Sequence, residues 1–263
     1  NEVFPVIKSN PKYKTFIFSN ENLFHNLRPL FRVLRSSKNY EFYEFEIILV
    51  VRNPSEMVLS EYNQNVKRGG AYYGLNEFLE KKKYVCTHTM KASEAIKKFE
   101  NLNCKYHILN YSKERYEIVK SISKVIGISQ YCDFDNINNK TINRSLTNNE
   151  INKVRLINKN YGIRIGSKIS DRFVNEIPNI SPNNEIVLNN KTIKKIREKN
   201  LIYTRVINRR LKKENSLNFE ILSTKINDTI NSGEHEKIIY QEIQKKINSS
   251  DILDNKSKKK ILI

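Results

Sequence analysis

The sequence predicts a three-layer α/β domain in which a short parallel sheet is flanked by helices. Three observations predict it. Residues 47–51 form an unbroken apolar run, mostly β-branched, with no polar alternation. Such a run fits a strand covered on both faces, as in a parallel sheet. Residues 105–111 give a second strand after a stretch of helical periodicity, and strands interleaved with helices are the mark of parallel pairing. The chain of 263 residues, 38% hydrophobic, is long enough to bury one such core with an appendage.

Taken in order, residues 14–19 (Lys-Thr-Phe-Ile-Phe-Ser) read as a further short strand, followed by Asn20, Glu21 and Asn22. Leu23, Leu27, Leu30, Phe31 and Leu34 then share one helical face, with Pro29 expected to kink or split that helix. After the strand at 47–51 comes Arg52, and Pro54 suits a first helical position because its missing N–H has no partner there anyway. At about 100° per residue, Val58, Leu59, Tyr62 and Val66 fall on one side of the following helix and Glu56, Ser60, Gln64 and Lys67 on another. The first set packs, and the second can face a ligand. Gly69 and Gly70 break the chain and open a mobile substrate loop.

Short helices are expected over 75–84 and 91–102, with Cys86-Thr87-His88-Thr89 as a loop between them. A helix over 113–126 is closed by Gly127 at its C-terminal cap. Residues 143–147 lead into a helix running through Asn158, and Pro178 and Pro182 bracket a turn before one or two helices over 184–211. From 215 onward the composition turns polar, so the organisation expected is a domain over 1–214 and a helical, frayed tail over 215–263.

An arginine closing an apolar strand, beside the positive end of a helix that carries a serine, makes a phosphate seat. In open α/β sheets that end of the strand is where ligands bind. The run Arg52-Asn53-Pro54-x-Glu56-x-x-x-Ser60-x-Tyr62-x-Gln64 resembles the 3′-phosphate-binding segment of sulfotransferases that use 3′-phosphoadenosine-5′-phosphosulfate. The likeness is to the carbohydrate-modifying branch, including heparan sulfate 3-O-sulfotransferases and bacterial polysaccharide sulfotransferases. It implies a nucleotide-kinase-like fold and transfer of a sulfuryl group to a hydroxyl of a carbohydrate or polysaccharide acceptor, with no metal required. By the same resemblance Arg52 and Ser60 hold the nucleotide 3′-phosphate, Gln64 faces the acceptor, and Lys67 helps to orient the sugar or its negative groups. Glu21 takes the place of the general base; the alternative is a first-turn glutamate that complements the helix dipole.

Other likenesses are looser: residues 105–127 as strand, tyrosine-bearing turn and glycine-ended helix, and the runs at 143–147 and 206–211. One departure stands out. The family cradles the 5′-phosphosulfate in a glycine-containing loop bearing lysine and Ser/Thr, and no glycine precedes Gly69. The expectation is that the N-terminal strand and loop are missing, which leaves this chain impaired in transfer; the alternative is a noncatalytic relative.

The formal charge is +19, from 47 Lys+Arg against 28 Asp+Glu. It raises a competing reading, a noncatalytic basic module for acidic polysaccharide or nucleic acid. No zinc-finger, helix-turn-helix or RNA-recognition signature accompanies the charge, which disfavours nucleic acid; an abundance of Lys, Asn and Ile also follows from A/T-rich coding. Cys86, Cys104 and Cys132 offer neither a disulfide framework nor metal spacing, and His25, His88, His107 and His235 are isolated, so no metal site is expected. A mean hydropathy of -0.62 and no apolar stretch of about 20 residues point to a soluble, cytoplasmic protein.

Overall fold

The computed structural model describes residue 17 and residues 27–37, 45–115, 117–131, 145–177, 188–220 and 232–249. They form a mostly helical α/β fold with a two-stranded parallel sheet. The elements are α1 (Leu27–Ser37), β1 (Glu46–Val51), α2 (Pro54–Arg68), α3 (Leu75–Lys81), α4 (Thr87–Asn101), β2 (Lys105–Asn110), α5 (Tyr111–Glu114), α6 (Ile118–Val125), α7 (Asn148–Tyr161), α8 (Ile163–Glu176), α9 (Asn190–Asn208) and α10 (Ser232–Ser249). Ile17, the described residue of the expected first strand, lies in no strand and is exposed.

Contacts divide the chain into two units. The first comprises Asn1–Pro54, Cys86–Phe134 and Glu198–Asn218, the second Ser55–Val85, Asp135–Arg197 and Phe219–Ile263. This is not a division at 214, because α10 belongs with α2, α7 and α8.

In the first unit β1 and β2 pair in register from Glu46↔Lys105 to Val51↔Asn110. Leu49 and Val51 pack with Ala92 and Ile96 of α4 and with Ile207 and Leu217. Beside them Phe31 and Leu34 of α1 pack on Ala95 and Phe99, with Phe45, Ile47 and Tyr106 at the margin. The covering of β1 is one-sided. Val50 is 38% exposed and Ile48 half-buried, because the helices packed on β1 among the described residues meet its Leu49–Val51 face. The apolar run therefore overstates burial.

Several boundaries depart from the sequence expectation for local reasons. Helix α4 begins at Thr87, so Cys86 is its N-cap and Thr87-His88-Thr89 its first turn rather than a loop. The helix expected over 113–126 is two, α5 and α6, while Gly127 with φ 74° takes the left-handed position its C-cap role requires. Helix α3 ends at Lys81, ahead of Lys83 and Tyr84, both with positive φ. Pro29 is the third residue of α1, a position whose N–H has no intrahelical acceptor, so it is accommodated there.

In the second unit α2 buries Val58, Tyr62 and Val66 of the face its spacing predicts, while Leu59 of that face is half-buried. The Gly69–Gly70 break is a packed turn and not a loose loop: Gly70 has φ 70°, Ala71 is buried, and its N–H donates to the Asn65 carbonyl at 3.2 Å. The Asn158 amide donates to the carbonyls of Val66 at 2.9 Å and Ala71 at 3.0 Å, which clamps that turn to α7. Helix α7 opens with a reciprocal capping box between Thr147 and Glu150. Helix α10 is no frayed appendage along its described side chains. His235 is 1% exposed, its Nε2 lies 3.0 Å from Glu150 Oε1, and its ring meets Phe173 edge-on at 4.8 Å. Glu242 accepts from Arg172 of α8 at 3.1 Å.

Two outcomes follow. A Cβ on Gly166 would stand 1.9 Å from Asn158 Oδ1, so Gly166→Ala must displace the amide that clamps the 69–71 turn. It should cost about 1–3 kcal/mol of unfolding free energy, read by urea denaturation. At the edge of the first unit, Tyr106 Oη donates to Glu100 at 2.9 Å and Arg210 Nε donates at 2.6 Å. Tyr106 chiefly, then Arg210, lower the Glu100 carboxyl below its ordinary 4.5, against the opposing effect of burial. A depressed folded pKa gives stability that is present above the ordinary value and lost as pH falls through the folded one. The acid limb of the parent's stability curve, below about pH 4.5, should accordingly be shallower in Glu100→Gln, measured as urea midpoint against pH.

Candidate functional site

The carboxyl ends of β1 and β2 lie side by side because Val51 pairs with Asn110. The next residues, Arg52 and Tyr111, therefore leave the sheet together. The guanidinium carbon of Arg52 lies 5.5 Å from the centroid of the Tyr111 ring. Arg115, just past the end of α5, places its own guanidinium carbon 5.7 Å from the same centroid. A phenol ring is thus approached by two guanidiniums where parallel sheets bind ligands.

Two buried asparagines fix this geometry. Asn110, fully buried, caps α5: its Oδ1 accepts from the Ser112 N–H at 3.0 Å, and its Nδ2 donates to the Asn215 carbonyl at 2.9 Å. Asn53, also buried, donates its N–H to Ser112 Oγ at 2.9 Å and accepts on Oδ1 from the Asn218 N–H at 3.0 Å. The N–H of Asn110 itself donates to Glu114 Oε1 at 3.3 Å. Segment 215–218 is thereby strapped to the strand ends by side chains of both exits. A carboxylate at Glu114 and two guanidiniums share this end of the sheet.

Of the residues singled out by sequence, Arg52 stands in this cluster, half-buried. Ser60, Gln64 and Lys67 belong to the second unit, on α2. Ser60 is half-buried, Gln64 exposed and Lys67 only 7% exposed, so the expected polar face of α2 does not have one environment. Glu56 of the same face is buried as well. Glu21 lies outside the described residues, as does Cys132. Tyr111, Arg115, Asn53 and Asn110 carry the cluster, and sequence reasoning gave none of them a role. The signal available was Asn110-Tyr111-Ser112 directly after an apolar strand, an N-cap sequence placed at a ligand-binding edge.

Comparison of the chain with protein-family models, curated proteins and solved structures finds no match. Among the described residues no helix is long and apolar enough to cross a membrane.

Asn110→Ala removes the α5 cap and leaves the carbonyls of Asn215 and Ser216 without that donor. It should lower unfolding free energy by about 1–3 kcal/mol, followed by far-ultraviolet circular dichroism in urea.

Proposed function

We propose that the chain binds a nucleotide bearing a ribose 3′-phosphate and belongs to sulfuryl-transfer chemistry on a carbohydrate hydroxyl. The observation that carries the reading is the seating of Arg52 at the paired strand ends, against Tyr111 and beside Arg115, directly before a helix that starts at Pro54. Supporting it is the resemblance of residues 52–64 to the 3′-phosphate segment of 3′-phosphoadenosine-5′-phosphosulfate-dependent sulfotransferases.

The donor set suits a phosphate monoester. Guanidinium forks match phosphate oxygens bidentately, and Arg52 lies within cation–π reach of the Tyr111 ring. In the proposed scheme Arg52 and Ser60 hold the 3′-phosphate, and Gln64 and Lys67 orient the acceptor sugar. Glu21 takes the proton from the acceptor hydroxyl as its oxygen attacks sulfur, and the sulfur–oxygen bond to the nucleotide phosphate breaks in line. As in phosphoryl transfer, charge spreads over the equatorial oxygens and fixed cations stabilise it.

Calorimetry with adenosine 3′,5′-bisphosphate tests the reading. The parent should bind, and Arg52→Ala and Ser60→Ala should each weaken binding about 10- to 100-fold, as loss of a charge-assisted or buried hydrogen bond does. Equal affinity of the parent for adenosine 5′-monophosphate, or indifference to both substitutions, refutes it.

A further inference from the structure

Beyond Val51 and Asn110 the parallel ladder stops, and the two chains leave it differently. One runs through Arg52-Asn53-Pro54 and the other enters the first turn of α5. Pro54 has no N–H, so the main-chain donors between β1 and the second residue of α2 are those of Arg52 and Asn53. The Asn53 N–H donates to Ser112 Oγ at 2.9 Å, a buried bond between the two exits. Ser112 is the second residue of α5, and its own N–H donates to Asn110 Oδ1 at 3.0 Å. The cap therefore places Ser112, and the Ser112 hydroxyl in turn places the residue that follows Arg52.

This bond brackets the pair that forms the cluster. Val51 is paired with Asn110 just before Arg52 and Tyr111, and Asn53 is bonded to Ser112 just after them. Between these two fixed points the Arg52 guanidinium carbon stands 5.5 Å from the Tyr111 ring centroid. Only an acceptor at position 112 closes the bracket. A methyl group there leaves a buried main-chain N–H without this partner, and buried donors are rarely left so because of the cost. Asn53 is also held through its side chain, whose Oδ1 accepts from the Asn218 N–H at 3.0 Å, so loss of the hydroxyl loosens the exit without releasing it.

We propose that Ser112 is a positioning residue of the phosphate seat, acting on the bound anion through Arg52 and not by touching it. The role rests on the reading of Arg52 as a ligand of the nucleotide 3′-phosphate. Ser112 is only 9% exposed and its oxygen already accepts from Asn53, so its effect on a ligand passes through the main chain of residues 52–53. A guanidinium whose main chain is held beside Tyr111 has less freedom to lose on binding than one on a loose exit. The effect is confined to the phosphate that Arg52 holds, and it vanishes when Arg52 is gone.

The test is calorimetry of the full chain with adenosine 3′,5′-bisphosphate and adenosine 5′-monophosphate. The variants are Ser112→Ala, Ser112→Thr, Arg52→Ala and the double variant Arg52→Ala/Ser112→Ala. Thr204→Val is the control: it removes a buried hydroxyl of the same unit, one that donates to the Asn200 carbonyl of its own helix at 2.9 Å. Ser112→Ala should weaken bisphosphate binding about three- to tenfold and leave monophosphate binding unchanged. Ser112→Thr, which keeps the hydroxyl, should hold most of the affinity, and Thr204→Val should match the parent. Once Arg52 is alanine, the Ser112 substitution should change nothing further, the non-additivity of two residues that act as one. Should Ser112→Ala fail to fold, Ser112→Cys, with its weakly accepting sulfur, stands in for it under the same criteria. If Arg52→Ala weakens bisphosphate binding and Ser112→Ala does not, the positioning role falls alone. It falls equally if the loss is the same for both nucleotides, is shared by Thr204→Val, or adds to that of Arg52→Ala. A parent that does not bind the bisphosphate overturns the nucleotide reading and this role with it.

Discussion

Two buried amides govern the end of the sheet. Asn53 and Asn110 are almost wholly removed from solvent at the exits of adjacent parallel strands, and a buried amide left without partners costs about as much as a strong contact gains. Their partners therefore decide where the chain goes next. Asn110 forces the turn into α5 by capping it, and that turn sets Tyr111 where Arg52 emerges. Asn53 and Asn110 together draw segment 215–218 onto the same place from more than a hundred residues away. The cationic pair around Tyr111 is a consequence of this polar framework, as the strand exits would otherwise be free to diverge.

The second unit uses the same device with an ionisable pair. Glu150 serves its own helix as the acidic half of a capping box and at the same time meets His235. Both side chains are inaccessible; Glu150 keeps one oxygen on the Thr147 N–H of its own helix, and the other meets His235 Nε2 while α10 is docked. Removing Glu150 strands His235 Nε2 beside Phe173, whereas removing the imidazole leaves Glu150 its capping bond to the Thr147 N–H. Outside these sites the charge is of another kind: Arg68 with Asp171, and Arg172 with Glu176, are exposed or partly exposed pairs of modest worth.

What was legible in the sequence was what depends on neighbours in sequence. The apolar run at 47–51 gave β1, Pro54 gave the start of α2, and Gly127 closed α6 in the left-handed conformation. The spacing found Val58, Tyr62 and Val66 on the buried side of α2, but not the burial of Glu56 and Lys67 on its expected polar face. Features that depend on distant partners were not legible. The exposure of Val50 reflects which helices reach the sheet and not the strand's own composition. The docking of α10 rests on His235 meeting a glutamate 85 positions away, and the polar text of that helix gives no sign of it. The first of the two helices starts at Tyr111, ahead of the expected 113, because Asn110 caps it. At the candidate site, Arg52 was found because it closes a strand, whereas Arg115 was missed because only the turn of α5 brings it back to Tyr111.

The two cationic features of the first unit differ in how they are built. At the strand ends the guanidinium of Arg52 is backed by an aromatic ring and its backbone is pinned through Asn53. An arginine with a pinned backbone has less conformational freedom to lose on meeting a partner. Along α1, Arg28, Arg32 and Arg35 are exposed and follow one another at spacings of four and three residues. A six-residue strand pair sets these two groups of cations at opposite ends of one sheet, roughly 20 Å apart.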